Sequence, residues 1–352
     1  MFAKNENEIY IIAEIGQNHN GDIEICKKLI DQLVVYSYDE ITGNRLNTIN
    51  AIKLTKRDLD EELSNDGMKS EYTGKNSFGK SYGEHRDFLE FSYEEHCELS
   101  DYIRDKGVGF VDTLCSPKTV KLTEMTTIDK VKIASRDITN IPLLKEIAKI
   151  KNDVIISTGM SGLEEIDFAL NILGVGNRNI SILHCLSQYP AEYSRLNLLS
   201  IKKLQEMYGD KCTIGYSDHS IGVHIALSAV VMGARVIEKH VTLDKNMKGT
   251  DHKGAVEPQE MKVLVHNIRT FEKSVGEMSV FKDDSVEESA IKLERSLATK
   301  KDIQSGDIFT IDNVYMVSPG DGLKWGDFNR LVGKKVNKYI KKNTLISLED
   351  VE

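Results

Sequence analysis

Between residues 212 and 243 the chain reads CTIGYSDHSIGVHIALSAVVMGARVIEKHVTL. Two apolar runs, separated by a helix-patterned stretch, each finish on a polar tip carrying a histidine, His219 and His240. If the runs are parallel neighbours, the two imidazoles meet. Two imidazole nitrogens, with further positions left to water and substrate oxygens, suit a divalent transition metal acting as a Lewis acid. A lone strand-end histidine is ordinarily structural; a pair on adjacent strands asks for chemistry. Other apolar runs end the same way, on Glu14 with Asn18 and His19 beyond it, Lys53, Thr113, Lys132 and Ser135, Ser157, Ser187 and Tyr189, Ser217, and Glu238. Lys53 and Lys132 in one mouth would repel each other without an anion. With the hydroxyls of Thr113, Ser135, Ser157 and Ser217 they suit a phosphate or carboxylate. Glu14 and Glu238 are candidates for charge balance, water positioning or proton transfer.

The elements that must position these groups are short β-branched runs alternating with helical patterns. Strands are expected at 9–16, 51–55, 108–113, 130–135, 153–158, 180–186, 213–217 and 235–241, with helices such as 141–150, 163–173 and 223–233 between them. Eight βα units match a closed (β/α)8 TIM barrel, whose active site lies at the C-terminal ends of its strands. An open doubly wound sheet is the rival, and no GxGxxG follows the first strand to support it. The long stretch 58–88, with Tyr72, Phe78, Tyr82 and Phe88 as anchors, reads as a loop over the barrel mouth. His184 reads as a packed core histidine, and His85, His96, His224 and His266 as surface residues.

The organisation expected is a barrel over residues 1–280, a charged linker over 281–294, and a small β-rich domain over 295–352 broken by SGD, PGDG and KKN turns. A domain that small is marginal alone and should lean on the barrel or on a partner subunit. The net charge of −9 argues against nucleic acid as a partner. No apolar run is long enough to span a membrane, and five scattered cysteines without CxxC spacing suggest reduced thiols in the cytoplasm.

The stretches IIAEIGQNHNGD (11–22), KIASRD (132–137), IISTGM (155–160), HCLSQYP (184–190), IGYSDHSIG (214–222), EKHVTLDKNMKGTDHKGAVEP (238–258) and VGKKV (332–336) resemble the sialic acid synthase family. The likeness runs over nearly the whole chain. It implies a metal-binding (β/α)8 barrel followed by an antifreeze-like (SAF, β-clip) domain, and a homodimer in which that domain covers the partner's barrel. The implied metal ligands are His219 and His240, with Mn2+ expected and Mg2+ or Co2+ as alternatives. Phosphoenolpyruvate contacts fall on Lys53, Thr113, Lys132, Ser135, Ser157 and Ser217. Catalytic roles fall on Glu14, Glu238, His219, His240, Lys53 and Lys132. Residues toward the sugar are Asp137, where bacterial members often carry glutamate, Ser187, Tyr189 and Asp251. The segment 72–92 resembles the corresponding loop of the animal synthases that take a 6-phosphorylated acceptor, which adds Lys75, Ser81 and Tyr82. Ser318 stands where some bacterial members place an arginine of the small domain.

The implied reaction is a condensation of phosphoenolpyruvate with an open-chain N-acylmannosamine or its 6-phosphate, releasing inorganic phosphate. The same chemistry on another amino sugar, as in legionaminic acid synthesis, is the nearest alternative. A catalytically weakened sugar-binding barrel would have lost a histidine or a lysine, and a metal-dependent hydrolase would carry a denser set of ligands.

Overall fold

Eight parallel strands close into a barrel in the computed structural model, which describes residues 8–352. They are β1 (Tyr10–Gly16), β2 (Ala51–Lys56), β3 (Gly109–Leu114), β4 (Lys130–Ile133), β5 (Asp153–Ser157), β6 (Ile180–Cys185), β7 (Thr213–Asp218) and β8 (Val236–His240). Each strand pairs with the next in sequence, and β8 returns to β1 through Tyr10 opposite Val236 and Glu14 opposite His240. All eight expected strands are present, so the barrel reading holds and the open sheet does not.

Side-chain alternation explains why the strands read as almost continuous apolar runs. Both faces of each strand are buried, one toward the helices and one toward the barrel axis. The helix-facing residues belong to the large core, for example Ile11, Ala13 and Ile15 of β1 with Cys26, Leu29 and Ile30 of helix Ile23–Leu33. A separate cluster of Ile12, Ala51, Val111, Ile155, Leu183 and Val236 fills the barrel interior. Two residues further along the same strands stand Glu14, Lys53, Thr113, Ser157, Cys185 and Glu238. The interior is therefore apolar at its base and polar at its mouth, and a period of two is enough to produce that switch.

The connections carry strong local signals. Asp22 accepts from the Glu24 and Ile25 amides at 2.8 and 3.1 Å, and Ser92 with Glu95 forms a reciprocal capping box at the start of helix Tyr93–Asp105. The 58–88 segment holds more structure than a loop: short helices Leu59–Glu62 and Asn65–Lys69, then helix Tyr82–Leu89 with a Ser81/Glu84 capping box. His85 and His96 are buried, contrary to their surface reading. His85 lies near the Tyr72, Phe78 and Tyr82 rings, and His96 Nδ1 lies 2.7 Å from the buried Asp112 carboxylate. A two-residue ladder, Ser37–Tyr38 with Arg45–Leu46, was not anticipated.

The chain divides into a unit ending at Gly276 and a second unit, Glu277–Glu352. Within the second, β9 (Ser296–Thr299) and β10 (Val314–Val317) pair antiparallel over a core of Leu297, Ile303, Phe309, Val314, Leu331, Val336, Ile340 and Ile346. The expected linker over 281–294 contains a helix, Glu287–Leu293. Among the described residues no helix is long and apolar enough to cross a membrane.

Candidate active site

The polar mouth of the barrel is a cavity of about 490 Å3. At its centre two lysines and two glutamates alternate in charge. Lys132 Nζ lies 2.8 and 2.7 Å from the two Glu238 carboxylate oxygens, and Ser217 Oγ donates to Glu238 Oε1 at 2.9 Å. Lys53 Nζ lies 3.2 Å from Glu238 Oε2 and 2.8 Å from Glu14 Oε1, and donates to Thr113 Oγ1 at 3.2 Å. Glu14 Oε2 is in turn 3.3 Å from His240 Nε2. The repulsion expected between the lysines is thus offset inside the protein. Glu238 bridges them.

Burial sets the electrostatics. Desolvation acts to lower Lys53, but Glu14 and Glu238 outweigh it and hold the ammonium above its ordinary pKa. For Lys132 desolvation prevails over Glu238, and its pKa falls. Burial alone would raise the Glu238 carboxyl; the two lysines and Ser217 hold it well below the carboxylate range. The Tyr189 hydroxyl is pushed up by desolvation first and then by the Glu14 charge, although the residue as a whole is half-exposed.

The two histidines meet as their spacing suggested, with ring centroids 5.5 Å apart. His219 Nδ1 lies 2.8 Å from the Leu186 carbonyl oxygen. A carbonyl only accepts, so Nδ1 carries the proton and Nε2 keeps its lone pair. His240 Nδ1 is buried without a hydrogen-bond partner. Tyr189 packs on His219 at 4.1 Å. A lone pair fixed by a hydrogen bond on the opposite nitrogen, beside an orphaned imidazole nitrogen and a carboxylate, is a donor set that fits a metal ion. Among the described residues no three His, Cys, Asp or Glu side chains converge on one point to hold an ion by themselves. Such a site would need oxygens from water or substrate.

Glu14, Lys53, Thr113, Lys132, Ser135, Ser157, Tyr189, Ser217, His219, Glu238, His240 and Asp251 all line this cavity. Ser157 Oγ is buried and unpartnered there, and Ser135 Oγ accepts from the Gly159 amide at 3.0 Å. Asp137, Ser187, Lys75, Ser81 and Tyr82 do not contribute to the lining. Asp137 instead faces Arg136 Nε at 3.2 Å. Ser81 Oγ caps its helix, Tyr82 Oη accepts from Arg86, and Lys75 is exposed. Gln17, Thr55, Arg57, Asn76, Arg86, Arg136, Cys185 and Thr250 also line the cavity and were not singled out. Thr55 and Arg57 continue the period of two beyond Lys53, a signal present in the sequence; Arg86 and Arg136 carry none.

A lysine-bearing barrel mouth with two histidines defines a class of (β/α)8 enzyme, and comparison with known proteins narrows it. The NeuB family model matches residues 45–280, and the SAF domain model matches residues 294–352. The N,N'-diacetyllegionaminic acid synthase of Campylobacter jejuni is 37% identical over 343 residues, 96% of this chain and 98% of that protein. The N-acetylneuraminate-9-phosphate synthase of Homo sapiens is 33% identical over 99% of this chain and 94% of its own length. The solved N-acetylneuraminic acid (sialic acid) synthetase of Leptospira borgpetersenii, in complex with citrate, superposes with a TM-score of 0.66 at 29% identity, covering 82% of this chain and 94% of that one. The chain belongs to the NeuB family, and it is a synthase of that family with a SAF domain at its C-terminal end.

Proposed function

We propose that the protein condenses phosphoenolpyruvate with an open-chain N-acylmannosamine, free or as its 6-phosphate, to give a nonulosonate and inorganic phosphate. The observation that carries this reading is the Lys53–Glu238–Lys132 bridge at the base of a cavity that also holds the two histidines. An incoming trianion replaces Glu238 as the partner of the lysines. The free Ser157 hydroxyl and those of Thr113, Ser135 and Ser217 complete its hydrogen bonds. C3 of phosphoenolpyruvate then forms the carbon–carbon bond to the aldehyde carbon, positive charge grows at C2, and water adds there. Glu14, already between Lys53 and His240, accepts the proton of that water. The tetrahedral intermediate expels phosphate by C–O cleavage, leaving the 2-keto acid. Tyr189 and Asp251 line the space left for the sugar.

His219 and His240 would hold a divalent metal, with Mn2+ as the leading choice, and when bound it supplies Lewis acidity toward the aldehyde oxygen. Released phosphate and keto acid should both vanish after chelation and return with added Mn2+. His219→Ala or His240→Ala should lose at least 100-fold in turnover while the far-ultraviolet dichroism is unchanged. Near-normal turnover in chelated wild type would overturn the metal role.

Two further properties belong to the same reading. The second unit exposes Met278, Val280 and Phe281 on one segment, which favours a homodimer in which apolar surface of this kind is covered. All five cysteines are unpaired, which favours the cytoplasm.

A further inference from the structure

Above the lysine layer the cavity carries a second set of cations that the condensation chemistry does not use. Arg57 stands four residues beyond Lys53, and Arg136 four residues beyond Lys132; both line the cavity, with Arg86 from the β2–β3 connection. Arg57 is only 9% exposed; its Nη1 lies 2.6 Å from Glu62 Oε2, and its buried Nε has no hydrogen-bond partner. Arg136 Nη2 lies 3.7 Å from that same Glu62 oxygen and 2.9 Å from Cys115 Sγ. Arg86 is held by the Tyr82 hydroxyl and by Gln17. Arg57 and Arg136 share the Glu62 and Asp137 carboxylates, Arg86 is held by neutral groups alone, and Asp251 is the further carboxylate in the lining. In the layer below, two lysines face two carboxylates.

We propose that Arg57, Arg136 and Arg86 form a second anion site that binds a phosphate monoester on the acceptor, which makes a phosphorylated sugar the preferred acceptor class. The proposal rests on the synthase reading above for the identity of the first substrate. A buried guanidinium edge without an acceptor is costly unless a ligand supplies one, and the planar fork of arginine matches phosphate in two-point contact. Phosphoenolpyruvate seated on the lysines and strand-end hydroxyls occupies the deeper layer, so the outer cations are left to the other substrate. The arginines come from the β2–β4 arc of the mouth and the histidines from the β7–β8 arc, across the barrel. An open-chain sugar with its aldehyde toward the histidines then spans the mouth, and its opposite end reaches the arginines.

The test is calorimetric binding of N-acetylmannosamine 6-phosphate and of N-acetylmannosamine to the full chain, with steady-state kinetics on both acceptors. Wild type should prefer the phosphorylated sugar at least ten-fold in Kd and in kcat/KM. In Arg57→Gln and in Arg136→Gln, whose side chain is half-exposed and tolerant of change, that preference ratio should fall at least ten-fold. Equal affinity of wild type for both sugars, or an unchanged ratio in the folded variants, overturns the site. So does a rise in KM for phosphoenolpyruvate with the ratio intact, which would assign the arginines to that substrate. Selective binding of the phosphorylated sugar without phosphate release from phosphoenolpyruvate would uphold the site and overturn the synthase reading; turnover with the free sugar alone would do the reverse.

Discussion

Glu238 bridges the two lysines at the polar mouth of the barrel. It is 2% exposed, accepts from Lys132 and Ser217, and sits within 3.2 Å of Lys53. In the proposed reaction the anionic substrate competes with it for both ammonium groups. Glu238→Gln removes that competitor while keeping a hydrogen-bonding group of similar shape. The expected outcome is a split: a lower KM for phosphoenolpyruvate together with a kcat reduced about 10-fold, from the loss of the charged partner that positions the two lysines. Steady-state kinetics decide it, and an unchanged kcat with a raised KM would remove Glu238 from this role. That Glu238 and the lysines share a mouth was legible from their strand-end positions. That Glu238 bridges them was not, because Lys132 lies 106 residues away in sequence and the register that joins them is a property of the closed sheet.

At the level of elements, inward positions on one strand are packed against those of its neighbours. Gly215 on β7 shows the constraint: an added Cβ would meet Leu183 Cδ2 at 2.4 Å and the Val236 carbonyl oxygen at 2.5 Å. The carbonyl cannot move without disturbing β8. Gly215→Ala should therefore destabilise the barrel by about 1–3 kcal/mol, the usual cost of overpacking. Thermal unfolding followed by dichroism checks this, and an unchanged midpoint would mean the strands separate easily there. The 58–88 connection makes a complementary point. Its aromatic anchors suggested an ordered segment, but the helix over Tyr82–Leu89 and the burial of His85 depend on contacts that the local pattern does not specify. Phe78 stacks on Phe88 at 4.8 Å, and the Phe78 amide donates to His85 Nδ1 at 3.2 Å.

Across the whole molecule, the titratable groups are distributed unevenly. All nine histidines lie in the first unit, and the single tryptophan, Trp325, lies in the second. His19 is buried against Phe91, and burial lowers its pKa to about 3; burial also lowers His85, His184 and His252. A folded pKa below the unfolded value of about 6.5 means that the unfolded chain takes up protons first. The barrel's stability is therefore complete above about pH 6.5 and is lost as the pH falls toward the folded value. His19 alone should remove about 2 kcal/mol between pH 7 and pH 5. Far-ultraviolet dichroism, dominated by the barrel, should show a midpoint falling over that interval. The Trp325 fluorescence transition should move less, and His19→Gln should flatten the dichroism slope. Identical acid shifts by both probes, unaltered in the variant, would contradict this account.

The sequence by itself determined the eight strands, their order, the apolar-to-polar switch along each, the histidine pair and a compositionally distinct C-terminal unit. All of these are written in local periodicity and in short motifs, which depend on residues a few positions apart. Only the tertiary structure decided which carboxylate neutralises which lysine, that His85 and His96 are buried, and that Arg57, Arg86 and Arg136 face one cavity. Ion pairing and burial are set by groups brought together from distant parts of the chain, and barrel closure, which no single segment encodes, is what brings them together.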